Sequence, residues 1–214
     1  MKLVIGNKNY SSWSMRPWLA LKAADIPFEE EIIWLSRADT AQRIASLSES
    51  GRVPVLVDGE IRIVESIAIL EYLAERAPDL WPASIPARAH ARSVSAEMHA
   101  GFAALRGRCS MNIRRQPSPI ALGPEVHKDV DRILAIWVGC RERFGTGGPF
   151  LFGRFTNADA MFGPVVSRFH TYAIPVPAGA RLYMDAVMAT PMWQEWERAA
   201  RAEEEEIRET DAIA

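Results

Sequence analysis

Apolar and polar positions alternate in blocks over the first eighty residues, and the period of each block predicts its element. Leu3-Val4-Ile5 is a short apolar run of the kind a buried strand makes. Between Ser14 and Ala24 the residues Met15, Trp18, Leu19 and Leu21 recur at helical spacing, and Asp25-Ile26-Pro27 ends the helix. Glu31-Ile32-Ile33-Trp34-Leu35 predicts a second strand, followed by a weaker helical signal from Thr40 to Leu47. Val53 to Val57 and Ile61 to Val64 predict two strands joined by the turn signal Asp58-Gly59. Ile67, Leu70, Tyr72, Leu73 and Ala74 then mark a helix from Ser66 to Arg76, stopped by Pro78.

The order β-α-β, hairpin, α calls for two parallel strands joined by a helical crossover, with an antiparallel hairpin alongside. That is a small mixed sheet of four strands. The proline-rich stretch 81–86 reads as a linker between a first domain, 1–80, and a second, 87–214. Beyond the linker every pattern is helical. Arg88 to Leu105 reads as one helix, and Glu125 to Phe144 carries an amphipathic stripe of Val126, Val130, Ile133, Leu134, Trp137 and Val138. Thr156 to Tyr172 is another helix, and Thr190-Pro191 opens a last one with an N-cap and a first-turn proline. The glutamates 203–206 read as a solvated helix end.

Composition narrows the class. With 214 residues, 49% hydrophobic and 24% charged, the chain has the material for a sizeable core. A net charge of −2 gives no electrostatic case for a nucleic-acid partner. The start Met1-Lys2-Leu3-Val4-Ile5-Gly6 turns polar too soon for a secretory signal, and no run suits a membrane span. Cys109 and Cys140 stand apart with no Cys-x-x-Cys spacing, which favours a reduced, cytoplasmic chain. His90, His99, His127 and His170 share no metal-ligand spacing with them, so no metal is expected.

Three segments of the first domain carry candidate chemistry: Asn9-Tyr10-Ser11-Ser12-Trp13-Ser14-Met15-Arg16, Gly51-Arg52-Val53-Pro54-Val55-Leu56, and Val64-Glu65-Ser66-Ile67-Ala68-Ile69-Leu70-Glu71-Tyr72-Leu73, the last opening a helix. Taken singly, the serines are helix caps and the proline a strand edge. Taken together, they resemble the glutathione transferase superfamily over nearly the whole chain, closest to the serine-type zeta class with some likeness to tau. Gly153 followed by Thr156-Asn157-Ala158-Asp159 resembles the family's helix-capping motif, a folding element. One departure matters: Trp13 stands where the zeta pattern has cysteine, which points away from zeta-type isomerase chemistry. Ser48-Glu49 likewise replaces a frequent Asn-Pro in a variable loop.

The resemblance implies a thioredoxin-like α/β first domain, an all-α second domain, a homodimer, and glutathione as co-substrate for a small electrophile. It implies Ser11 as the hydroxyl that stabilises the thiolate, with Ser12 adjacent should the alignment slip by one, and Ser14 as the helix cap. It implies a cis Val53-Pro54 bond, Val53 pairing with the peptide backbone, Glu65 and Ser66 on the γ-glutamyl end, and Arg52 near the glycyl carboxylate. For the electrophile, Trp13 and Met111 are candidate lining, with Phe169 assigned to the core. Arg106, Arg108, Arg114 and Arg115 are a candidate basic rim, against the alternative of a solvated turn. Conjugation is the leading function. A zeta-like isomerase, a thiol-disulfide reductase (disfavoured because serines occupy the helix start) and a non-catalytic binding module are the rivals.

Overall fold

A computed structural model describes residues 1–213. Four strands, β1 (Lys2–Ile5), β2 (Glu29–Ile32), β3 (Val55–Asp58) and β4 (Ile61–Val64), form one sheet in the order β2-β1-β3-β4. β1 runs parallel to β2 and antiparallel to β3, and β3 pairs antiparallel with β4. Between them lie α1 (Ser12–Ala23) and α2 (Thr40–Leu47), and α3 (Ser66–Arg76) follows. Alternation along β1 decides the two faces. Leu3 and Ile5 join the main core with α1 and α3, while Val4 turns to the other face with Ile33, Ile44 and Val55.

The second strand lies two residues upstream of the apolar run that predicted it. β1 offers four residues, and the register pairs Lys2 with Glu29 through Ile5 with Ile32. This edge strand tolerates its glutamates because they find cations: Lys2 Nζ lies 2.8 Å from Glu31 and Lys8 Nζ 2.7 Å from Glu30.

After residue 80 the regular elements are α4 (Ile85–Ala100), α5 (Ala103–Arg108), α6 (Pro124–Phe144), α7 (Asn157–Thr171), α8 (Ala178–Met188), α9 (Pro191–Ala202) and α10 (Arg208–Asp211). The expected single helix from Arg88 to Leu105 is broken, because Phe102 adopts φ 59° and starts α5 in a new direction. α8 was not anticipated. α7 is the spine: all its residues but His170 are buried, and it packs against α1, α4 and α8. Asp159 in its first turn accepts from the backbone N–H of Thr156 (2.8 Å) and of Leu151 (3.0 Å), completing the capping box expected there.

Glu203 corrects the picture of a solvated helix end. It is 9% exposed, and its carboxylate accepts from the backbone N–H groups of Lys8 (2.6 Å) and Asn9 (2.9 Å). The C-terminal segment therefore straps the loop between β1 and α1. Trp196 Nε1 donates to the Lys8 carbonyl (3.0 Å), and Tyr10 donates to Asp211 (2.8 Å). No helix among the described residues is long and apolar enough to cross a membrane.

Candidate functional site

Three chain segments meet where the β1–α1 loop, the turn before β3 and the start of α3 converge. They enclose a cavity of about 650 Å³, within the range of small-molecule sites. Ser11, Ser12, Trp13, Arg52, Val53, Pro54, Glu65 and Ser66 all line it, and His99, Ala100 and Arg106 close it from α4 and α5.

The serines differ in what they touch. Ser11 precedes α1 without capping it through its side chain; its Oγ donates to Ser14 Oγ at 2.7 Å. Ser14 is not the cap either, since its Oγ accepts the Gly6 N–H at 3.1 Å and so ties α1 to β1. Ser12 opens the helix, and its Oγ accepts from Arg168 Nη2 at 3.2 Å. Asn7 and Asn9 hold the loop rigid: Asn7 Oδ1 accepts from Leu35 N (2.7 Å) and Asn9 Oδ1 from Arg114 N (2.8 Å).

On the opposite wall the Val53-Pro54 bond is cis. Glu65 sits at φ 69°, a left-handed conformation that a non-glycine residue adopts only when its surroundings enforce it. This turn sets the Glu65 and Ser66 side chains at the N-terminus of α3. Ser66 is 1% exposed and its hydroxyl has no hydrogen-bond partner among the described residues. A buried hydroxyl in a cavity wall is free to bond with what the cavity holds.

The helical wall is cationic and aromatic. Trp13 lies between two guanidiniums, with Arg16 Cζ 4.0 Å and Arg106 Cζ 5.3 Å from its ring centroid. His99 meets Trp13 edge-on at 5.3 Å, and its Nε2 is 3.4 Å from Glu65. Burial pushes the His99 pKa down; Glu65 opposes that, and Arg16 and Arg106 add to it. At neutral pH its ring is accordingly uncharged.

Other candidates fall elsewhere. Met111 is 2% exposed in the core and lines no part of the cavity. Arg108 donates to the Ala121 carbonyl at 3.1 Å, also outside it. Arg114 binds the Glu203 and Glu205 carbonyls and Arg115 the Ile213 carbonyl, so both fasten the C-terminal strap. Of the four arginines taken as a rim, only Arg106 faces the cavity. Phe169 lies in the core, as expected. Cys109 is fully buried, and burial raises its thiol pKa, so it is no ready nucleophile. The sequence reading missed His99 and Arg168 and gave Arg16 no role of its own. For Arg168 the visible signal was a lone charge in the otherwise uncharged run Met161 to Phe169.

Residues 10–76 match the family described as glutathione S-transferase, N-terminal domain. Among the relatives of the chain is a probable maleylacetoacetate isomerase of Caenorhabditis elegans, 37% identical over 94 residues, 42% of each protein. Glutathione S-transferase Z2 of Arabidopsis thaliana is 25% identical over 82% of this chain and 84% of its own. The chain spans about two-fifths of the length of the maleylacetoacetate isomerases it matches.

Two solved structures fix the fold of the glutathione S-transferase-like chain. A bacterial zeta-class maleyl pyruvate isomerase superposes with TM-score 0.72 at 20% identity, covering 95% of this chain and 99% of that one. A glutathione transferase homologue from Burkholderia, with glutathione bound, gives TM-score 0.69 at 22% identity over 95% and 100%. The architecture is therefore a thioredoxin-like α/β unit followed by a mostly helical region.

Proposed function

We propose that the protein is a cytoplasmic, homodimeric glutathione transferase that ionises the glutathione thiol beside Ser11 and adds it to a small electrophile. The observation that carries this is convergence. Three motifs separated by up to about fifty residues of chain present Ser11 and Ser12, Val53-Pro54, and Glu65-Ser66 to one cavity. In this reading residues 1–80 bind glutathione, 81–86 are a linker, and 87–214 supply the electrophile side.

The chemistry follows from the geometry. A free thiol with pKa about 8.5 is a poor nucleophile until ionised. Lowering that pKa by about two requires roughly 2.7 kcal/mol of preference for the thiolate. A hydroxyl hydrogen bond to an anion contributes about 1.5–3 kcal/mol, and the N-terminus of α1 about 1 kcal/mol more. Ser11 is the assigned donor, its hydroxyl turning from Ser14 to the sulfur when glutathione binds, and Ser12 the neighbour that takes the role if the sulfur sits one residue along. Val53 would pair with the peptide through its backbone. Ser66 and the start of α3 would receive the γ-glutamyl carboxylate, and Glu65 its ammonium. Arg52, which lines the same cavity, would meet the glycyl carboxylate. The electrophile would lie against Trp13, beside His99 and Arg106; Met111 and Arg108 have no part in this.

The test is a pH titration of thiolate absorbance with glutathione bound. A bound thiol pKa well below the free value supports the reading; binding with an unshifted pKa leaves a carrier; no binding ends it. A second reading, a zeta-like cis-trans isomerase, is favoured by the names of the relatives and opposed by Trp13. Turnover of a cis-diene acid without glutathione consumption would establish it.

A further inference from the structure

Resting on glutathione as the ligand, we propose that Arg168, reaching the cavity through Ser12, supplies the positive charge that holds the bound sulfur as an anion. Arg168 is 5% exposed, in a helix buried along nearly its whole length. Its Nη1 donates to the Cys109 carbonyl and, at 3.4 Å, to that of Arg106, while Nη2 donates to Ser12 Oγ. Among the described residues no carboxylate lies within 4 Å of it.

Its surroundings reinforce the sign. Arg16 on α1 is 1% exposed and, among the described residues, also pairs with no carboxylate; its Nε donates to the Met161 carbonyl at 3.1 Å, and its Nη1 is buried with no hydrogen-bond partner among them. Arg106 and Arg108 add positive charge from α5. Cys109 and Tyr172, both with pKa values raised chiefly by burial, stay neutral near pH 7. His99, on α4, is held neutral as well, and Glu65 stands across the cavity beside it. Burial lowers the Arg168 pKa to about 10, so the guanidinium remains charged at neutral pH. Buried cations without counter-ions are costly to a fold, and they are retained where an anion is to be bound.

The hydroxyl pattern gives the route. Ser12 Oγ accepts from Arg168, so its own proton remains available to the cavity, whereas Ser11 donates to Ser14. Glutathione sulfur seated against the serine pair would lie about 6 Å from the guanidinium. At an effective dielectric of about 20, a unit charge at that distance shifts a pKa by about two, and by about one in a partly wetted cavity. The thiol proton leaves to solvent.

The experiment compares bound-thiol pKa values, read as thiolate absorbance against pH, in wild type, Arg168→Gln, Arg168→Lys and Arg168→Met. Expected is a rise of about one in Arg168→Gln, with glutathione affinity within about threefold of wild type, and recovery of most of the rise in Arg168→Lys. A lowered wild-type pKa that Arg168→Gln leaves unchanged overturns this inference alone. Absence of glutathione binding by the wild type removes the proposed function and the inference together. Should Arg168→Gln fail to fold, Arg168→Met decides, because it also removes the charge while filling the buried site with an apolar chain. A rise of at least about 0.5 sustains the proposal, and an unchanged value overturns it.

Discussion

One helix, α7, buries a charge near each end, and the two charges meet opposite fates. Asp159 is closed into a knot: two backbone N–H groups and the Thr156 hydroxyl donate to it, and it lines no part of the cavity. Arg168 makes contact with carbonyls and one hydroxyl, none of them charged, beside the cavity. The first arrangement uses up the hydrogen-bonding capacity of a buried group and fixes the chain path from Leu151 to Thr156. The second leaves a surplus of positive charge next to a space that can hold an anion. Saturation marks a folding device here, and the surplus is what the inference about Arg168 rests on.

The largest effect expected from breaking this contrast is at Asp159. Burial lifts its pKa from 3.8 to about 6, against the hydrogen bonds that favour the anion. A carboxyl whose folded pKa is raised contributes stability that is fully present below about pH 4 and is lost as pH rises through about 6. Asp159→Ala orphans two backbone donors and should cost about 2 kcal/mol at pH 7. The gap from wild type should widen by up to about 3 kcal/mol on going to pH 4. Urea unfolding across that range checks it, and a gap that narrows with falling pH would contradict the sign.

Next in size is Ser11→Ala, expected to cut turnover about tenfold or more, about 1.4 kcal/mol in the barrier, with glutathione still bound. Full turnover in that variant would hand the donor role to Ser12. Glu65→Ala should weaken glutathione binding by about fivefold with a smaller change in turnover at saturation, measurable by calorimetry. Smallest of all, Met111→Leu should leave the KM for the electrophile within about twofold, as befits a volume-conserving change in the core. A large change there would restore Met111 to the cavity.

Short contiguous signals made much of this legible before any coordinates. Asp58-Gly59 gave the hairpin, Asp25-Ile26-Pro27 the end of α1, and Gly153 with Thr156 and Asp159 the start of α7. The cavity motifs were legible only in combination: singly Ser11-Ser12, Val53-Pro54 and Glu65-Ser66 read as helix caps and a strand edge, and it is their resemblance as a set to a known family that singled them out. Strand register was not, because β2 is chosen by the four residues β1 can pair, and the apolar run 31–35 misplaces it by two. The arginines 114 and 115 looked like a rim only because the strap whose carbonyls they bind arrives about ninety residues later.

By itself, then, the sequence determined the kinds and order of elements in the first eighty residues and the mixed sheet they form, because propensity, turn geometry and capping act over a handful of residues; beyond them it gave the helical class but neither the break at Phe102 nor α8. Tertiary structure decided that Glu203 closes on the serine loop, that Trp13 sits between Arg16 and Arg106, and that Arg168 reaches Ser12 across 156 positions. Those outcomes depend on burial and on which charges lack a counter-ion, and both are properties of the packed chain rather than of any stretch of it.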